Sequence, residues 1–189
     1  MAIKDILKER ANWTWRIMAA SAQLGEMIRE DAITSVNLAT IANLAAQQGI
    51  ELSITSFQGA KLEKEFGADW MWTLGQSAYL VQAKRLDVVP GRGGLSYLID
   101  IAQLQTLCDA AHMLSVGQGI DSIPAYVFYN SLLQGSYDPA ESGCTWVNAY
   151  VLREALNKAG KLGQASTVLS FQAVVGNLKA RPWTEMFGG

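Results

Sequence analysis

The stretch GADWMWTLGQSAYLVQAKR, residues 67–85, constrains this chain more than any other. It is rich in aromatic and aliphatic residues, with one break at Gly75-Gln76, so it predicts two buried or half-buried extended segments, about 68–74 and 78–86, joined as a hairpin. Side chains alternate across a strand, so Asp69, Met71 and Thr73 share one face and Trp70, Trp72 and Leu74 the other. On the second segment Leu80, Gln82 and Lys84 lie together, opposite Tyr79, Val81 and Ala83. A two-residue turn at Gly75-Gln76, with glycine first as type II′ favours, sets Asp69 across from Gln82. A four-residue loop, 75–78, sets it across from Lys84, and a three-residue loop without a bulge splits the polar set. A lone buried carboxylate is costly, so an acid, an amide and an ammonium in one apolar hairpin must satisfy each other or hold an ion. Trp70 and Trp72, on the face away from Asp69, read as core.

The flanking segments predict the layers around the hairpin. Residues 3–28 have helical periodicity, with Trp13 and Trp15 packing that helix, and Arg29-Glu30-Asp31 breaks it. Thr34 or Ser35 is placed to cap a second helix ending at Gly49. ELSITSFQ (51–58) reads as a strand and 59–67 as a polar connection. A helix is expected over about 95–115, and uncharged SIPAYVFYN (122–130) reads as a central strand buried on both faces. Helices over about 145–159 and 164–179 precede a tail with Pro182 and Trp183. This order predicts an α/β (α+β) fold: a mixed four-stranded sheet, a three-strand meander plus a strand reached by a helical crossover, flanked by helices on both faces. A chain of 189 residues suits one domain, with a core about 30–130 and the N-terminal (3–28) and C-terminal (145–179) helices packed on it.

Composition removes several chemistries. No run of about 18 apolar residues occurs, so no membrane span is expected, and the charged N-terminal segment reads as an amphipathic helix instead of a signal peptide. Cys108 and Cys144 read as free buried thiols of a reducing cytoplasm, which makes the expected localisation cytoplasmic. One histidine, His112, leaves too few ligands for a His/Cys zinc site and a poor prospect for a Ser-His-Asp triad. PGRGG (90–94) lacks the spacing of a phosphate loop. A formal charge of −2 does not describe a generic nucleic-acid binder, yet Lys61, Lys64, Lys84, Arg85 and Arg92 gather around the hairpin.

With the hairpin and its flanks in place, the chain resembles the PD-(D/E)XK nuclease superfamily. Asp69 corresponds to the aspartate that opens the family's second strand, and Gln82-Ala83-Lys84 to the acid-X-Lys triplet on its third, in the Gln-X-Lys variant. Glutamine replaces the second acid, and Ala68 stands where the family's proline precedes the aspartate. The chain also resembles an uncharacterised bacterial domain family, through Gly-Ala-Asp-Trp, Val-Gln-Ala-Lys-Arg and Tyr-Val-Phe-Tyr-Asn.

The nuclease resemblance implies a restriction-endonuclease-like fold and a Mg²⁺- (or Mn²⁺-) dependent phosphodiesterase. It would act on DNA more readily than on RNA, in a bacterial defence or mobile-element setting. It implies Asp69, Gln82, the Ala83 carbonyl and an acid from the first core helix as metal ligands. That acid is Glu30, with Asp31 and Glu26 as alternatives. Lys84 would orient the nucleophile or stabilise charge in the transition state. Gln103 and, one and a half turns earlier on the same expected helix, Tyr97 are supporting residues, and Asp87 reads as a loop charge. The alternative is a catalytically silent nuclease-like fold that serves as a binding or assembly module, to which a protein partner or a homodimer is suited.

Overall fold

The computed structural model describes residues 2–57, 59–88, 94–131 and 135–187. Arg92 and the rest of PGRGG except Gly94 lie outside the described residues. Two long helices, α1 (Ile3–Gln23) and α2 (Glu30–Gln47), open the chain. A hairpin-linked meander follows: β1 (Leu52–Ser56), the short helix α3 (Ala60–Phe66), β2 (Trp70–Leu74) and β3 (Ser77–Arg85). Next come β4 (Asp87–Val88), β5 (Leu95–Asp100), α4 (Ile101–Gln118) and β6 (Asp121–Tyr129). The remainder is α5 (Pro139–Ser142), β7 (Cys144–Asn148), α6 (Ala149–Lys158), β8 (Ser166–Ser170), a π-helical turn (Ala173–Asn177), β9 (Arg181–Pro182) and a 3₁₀ turn (Trp183–Glu185).

The main sheet has six strands and not the expected four, in the order β1-β2-β3-β6-β7-β9, because β7 and β9 extend it antiparallel beyond β6. Its first four are the expected meander and crossover strand: β1 and β2 pair antiparallel, as do β2 and β3, and β6 lies parallel to β3. The protein is thus a mixed α/β fold with a mixed sheet flanked by helices. A parallel neighbour needs a long connection, and α4 supplies it. Every residue of β6 from Pro124 to Tyr129 is buried, as a strand covered on both faces must be. One cluster of buried residues runs from Ile6 and Leu7 of α1 through Trp70, Trp72 and Phe128 to Trp183.

Five further expectations differ from the structure, two of them because a capping side chain sets where a helix begins. Residues 95–100 are strand, because Asp100 caps α4: its Oδ1 accepts from the backbone N–H of Gln103 at 2.8 Å, so the helix cannot start earlier. Residues 144–148 are strand for the same reason, with Asn148 capping α6 by accepting from the N–H of Tyr150 at 2.9 Å. The expected helix 164–179 is replaced by β8, which pairs with β5 in a second sheet ordered β4-β5-β8, followed by the π-helical turn. The connection 59–67 contains α3, and α2 begins at Glu30 with Arg29 as its cap, four residues before Thr34.

Candidate functional site

The hairpin turn decides the register. Leu74 pairs with Ser77, so Gly75-Gln76 is the two-residue turn, and Gly75 takes φ +63° while Gln76 does not adopt positive φ. That is the glycine-first geometry of a type II′ turn. Met71 faces Leu80, and Asp69, just before the paired stretch of β2, reaches Gln82. Its backbone is fixed on both sides: its N–H donates to the Val81 carbonyl and its carbonyl accepts from Phe57 N–H, both at 2.8 Å. Gly67 lets the chain arrive there. It adopts φ +63°, and a Cβ on it would stand 2.6 Å from the Gln103 carbonyl oxygen and 2.7 Å from the Leu107 nitrogen of α4. Only glycine admits that approach.

Asp69 is 8% exposed and Gln82 1%. Oδ2 of Asp69 accepts from Ala83 N–H at 2.7 Å and from Nε2 of Gln82 at 2.9 Å; Nε2 also donates to the Ala83 carbonyl at 3.1 Å. Burial pushes the Asp69 carboxyl up to about 7, against the Ala83 hydrogen bond, with the nearby Glu30 charge raising it further and Lys84 opposing. Gln82 Oε1 has no hydrogen-bond partner among the described residues.

Glu30 enters from the first turn of α2. One carboxylate oxygen accepts from Arg85 N–H at 2.6 Å, and the other lies 3.8 Å from Lys84 Nζ. Burial raises its carboxyl above the usual range, and the charge of Lys84 and the Arg85 N–H pull it back. Lys84 is thus paired with Glu30, and its ion-pair partner is not Asp69. The Lys84 and Glu30 side chains are 16% and 33% exposed, so the site meets solvent at this end. The alternatives to Glu30 lie apart: Asp31 is exposed and paired with Arg29, and Glu26 is exposed.

Other expected residues divide. Gln103 occupies the first turn of α4 and lines an open pocket with Glu63, Lys64, Gly67 and Asp100; among the described residues no hydrogen bond joins it to Asp69 or Lys84. Tyr97 is on β5, not on the helix. It is fully buried, donates to Asn130 Oδ1, and packs on Phe128 with centroids 4.7 Å apart, which makes it core. Arg85 leaves the basic group, because its guanidinium is bonded to the Ile28 carbonyl and to Asp87. Lys61 and Lys64 are exposed on α3. Trp70 and Trp72 are fully buried, as expected of core. His112 is exposed, and burial holds the thiols neutral, with Cys108 pushed up to about 11 and Cys144 to about 12.

A family model described as "Family of unknown function (DUF6615)" matches residues 3–189. The chain belongs to that family. No curated protein matches it. Membership covers the whole site described above and assigns it no activity.

The donor set suits a hard cation. Among the described residues no three His, Cys, Asp or Glu side chains gather into a metal cluster, so a cation held here would need neutral oxygens among its ligands. The Asp69 carboxylate, the Ala83 carbonyl and the orphaned Gln82 Oε1 are all oxygens of the kind that Mg²⁺ takes. Gln82 Nε2 now caps two of those groups with its N–H bonds. Turning the amide by half a turn exchanges its oxygen for its nitrogen in nearly the same space, and puts three acceptors around one point. With Asp69 ionised, a bound cation would stabilise that arrangement and would also offset the cost of ionising Asp69.

The site also contains a residue that inspection of the sequence misses. Tyr126 of β6 is the Cα partner of Gln82, on the same face as Asp69, and its buried hydroxyl has no partner among the described residues. Strand alternation places residues within a hairpin, but a parallel register across an 18-residue helix leaves no mark in the sequence.

Proposed function

We propose that this protein is a metal-dependent phosphodiesterase that acts on DNA, built on a PD-(D/E)XK-like core in which Gln82 takes the place of the second acid. The observation that carries this reading is the meeting of Asp69 with Gln82 and Ala83, while Lys84 and Glu30 stand at the solvent-facing end. Asp69, Gln82 Oε1, the Ala83 carbonyl and, through reorientation of its carboxylate, Glu30 would hold Mg²⁺ or Mn²⁺. When bound, such an ion supplies Lewis acidity and lowers the pKa of water. Lys84, once separated from Glu30, offers its ammonium to the phosphate oxygens where negative charge develops. Asp69 moves no proton in this scheme; its task is to bind and orient. Exposed Lys61 and Lys64 supply positive charge beside the hairpin for the nucleic-acid backbone. A cytoplasmic role in defence or in a mobile element belongs to the same reading.

One observation favours a second reading, a silent binding or assembly module: the Gln82 amide already satisfies Asp69 and Ala83 without any ion. The test incubates the purified protein with supercoiled, linear and single-stranded DNA and with RNA, in Mg²⁺ or Mn²⁺. Cleavage that Asp69→Ala and Lys84→Ala each abolish supports the enzyme. Cleavage that survives both removes this site, and inactivity of the wild-type chain on every substrate favours the module.

A further inference from the structure

Gln82 and Tyr126 are Cα partners on adjacent parallel strands, so their side chains share one face of the sheet. Both are sealed: Gln82 is 1% exposed and Tyr126 0%. Each carries one buried polar atom without a hydrogen-bond partner among the described residues, the amide oxygen of Gln82 and the hydroxyl of Tyr126. Buried polar groups of native proteins are almost always satisfied, so two orphans side by side on one face call for a common explanation. Their chemistry is complementary, because an amide oxygen accepts and a phenol both donates and accepts.

We propose that Tyr126 is a positioning residue for Gln82: its hydroxyl, through one bridging water molecule, holds the outer end of the amide and sets which end faces Asp69. In the orientation described, Nε2 faces Asp69 and Ala83, and a water held by the hydroxyl would donate to the orphaned Oε1. In the turned orientation Oε1 faces Asp69, and the same water would accept from Nε2. A tyrosine serves both states, whereas phenylalanine of the same shape serves neither. The groups that face the phenol keep it in the form that can do this. Burial, with the charges of Asp100, Asp69 and Glu30 and the Cys108 thiol, raises its pKa and leaves it protonated. The turned state rests on the cation reading above; the link between Tyr126 and Gln82 does not.

The test is a double-mutant cycle in chelator, read by denaturant unfolding, on wild type, Tyr126→Phe, Gln82→Met and the double variant. Tyr126→Phe is expected to lower the unfolding equilibrium's favour for the native state by about threefold to tenfold in the wild-type background and by less than about twofold in the Gln82→Met background. Equal effects in both backgrounds overturn the proposal. Should Gln82→Met fail to fold, hydrogen exchange of the Gln82 side-chain NH₂ in ¹⁵N-labelled protein takes its place: faster exchange in Tyr126→Phe supports the link, and an unchanged rate overturns it. A second arm measures Mn²⁺ affinity by electron paramagnetic resonance. Binding weakened by about threefold to tenfold in Tyr126→Phe supports the orienting role, and equal binding overturns it. Absence of Mn²⁺ binding in wild type overturns the cation reading, and the cycle then decides the link by itself.

Discussion

Asp69→Asn is the perturbation that isolates the cost of the buried carboxylate. Asparagine can set its Oδ1 where Oδ2 of Asp69 stands, keeping the bonds from Ala83 N–H and Gln82 Nε2 while removing the charge. The carboxyl is raised from 3.8 to about 7 by burial. Between those values the folded chain keeps a proton that the unfolded chain has lost, so stability falls as pH rises through the window. Below it both states are protonated and nothing is lost; above it the loss is complete. The gap corresponds to a loss on the order of 4 kcal/mol at 1.36 kcal/mol per pH unit. Urea unfolding of both proteins in chelator, from pH 4 to pH 8.5, gives the wild-type stability minus that of the Asp69→Asn variant. That difference should decline steadily, by at least about 2 kcal/mol after allowance for relaxation of the site. For a chain of this length the same decline appears as a relative Tm shift of at least about 4 °C. A difference flat to within about 0.5 kcal/mol would refute the claim that Asp69 is desolvated.

Four further outcomes follow from the geometry. Mg²⁺ at pH 8 should raise the Tm of the wild-type chain and leave that of Asp69→Asn unchanged, since ligand stabilises only the state that binds it. Lys84→Met should change stability by no more than about 1 kcal/mol, because its pair with Glu30 is 3.8 Å long and partly exposed, yet lower any DNA cleavage by at least about 100-fold. Gly67→Ala should destabilise by about 2–4 kcal/mol in urea unfolding, since its Cβ meets the α4 backbone at a positive φ; a loss below about 0.5 kcal/mol would contradict the contact. Asn37→Leu should cost about 2–4 kcal/mol by the same measurement, because Asn37 accepts from buried Arg10 Nε at 3.0 Å and donates to Thr14 at 2.9 Å, and its loss leaves a buried cation unsatisfied.

What could be read from the sequence was what depends on local periodicity. Alternation and the Gly75-Gln76 turn set the register of β2 and β3, and with it the meeting of Asp69 and Gln82. The absence of charge in 122–130 marked β6 as a covered strand. Short strands that run directly into helices were hidden. Leu95, Leu98 and Ile101 have helical spacing, and only the cap at Asp100, three residues before Gln103, marks where strand becomes helix. Cys144–Asn148 was swallowed by α6 in the same way, with Asn148 as the overlooked signal. Long-range pairings left no local trace. The partnership of Lys84 with Glu30, far apart in the chain, and of Gln82 with Tyr126 across β3 and β6, depends on how α2 and α4 dock.

The central claim is that Asp69, Gln82 and Ala83 together accept a divalent cation. The most direct measurement is the anomalous scattering of Mn²⁺ in crystals of this protein. One peak is expected within bonding distance of an Asp69 oxygen, the Ala83 carbonyl and a Gln82 amide turned to present Oε1. Mn²⁺ found only elsewhere, with the Gln82 amide nitrogen still bonded to Asp69, would contradict it.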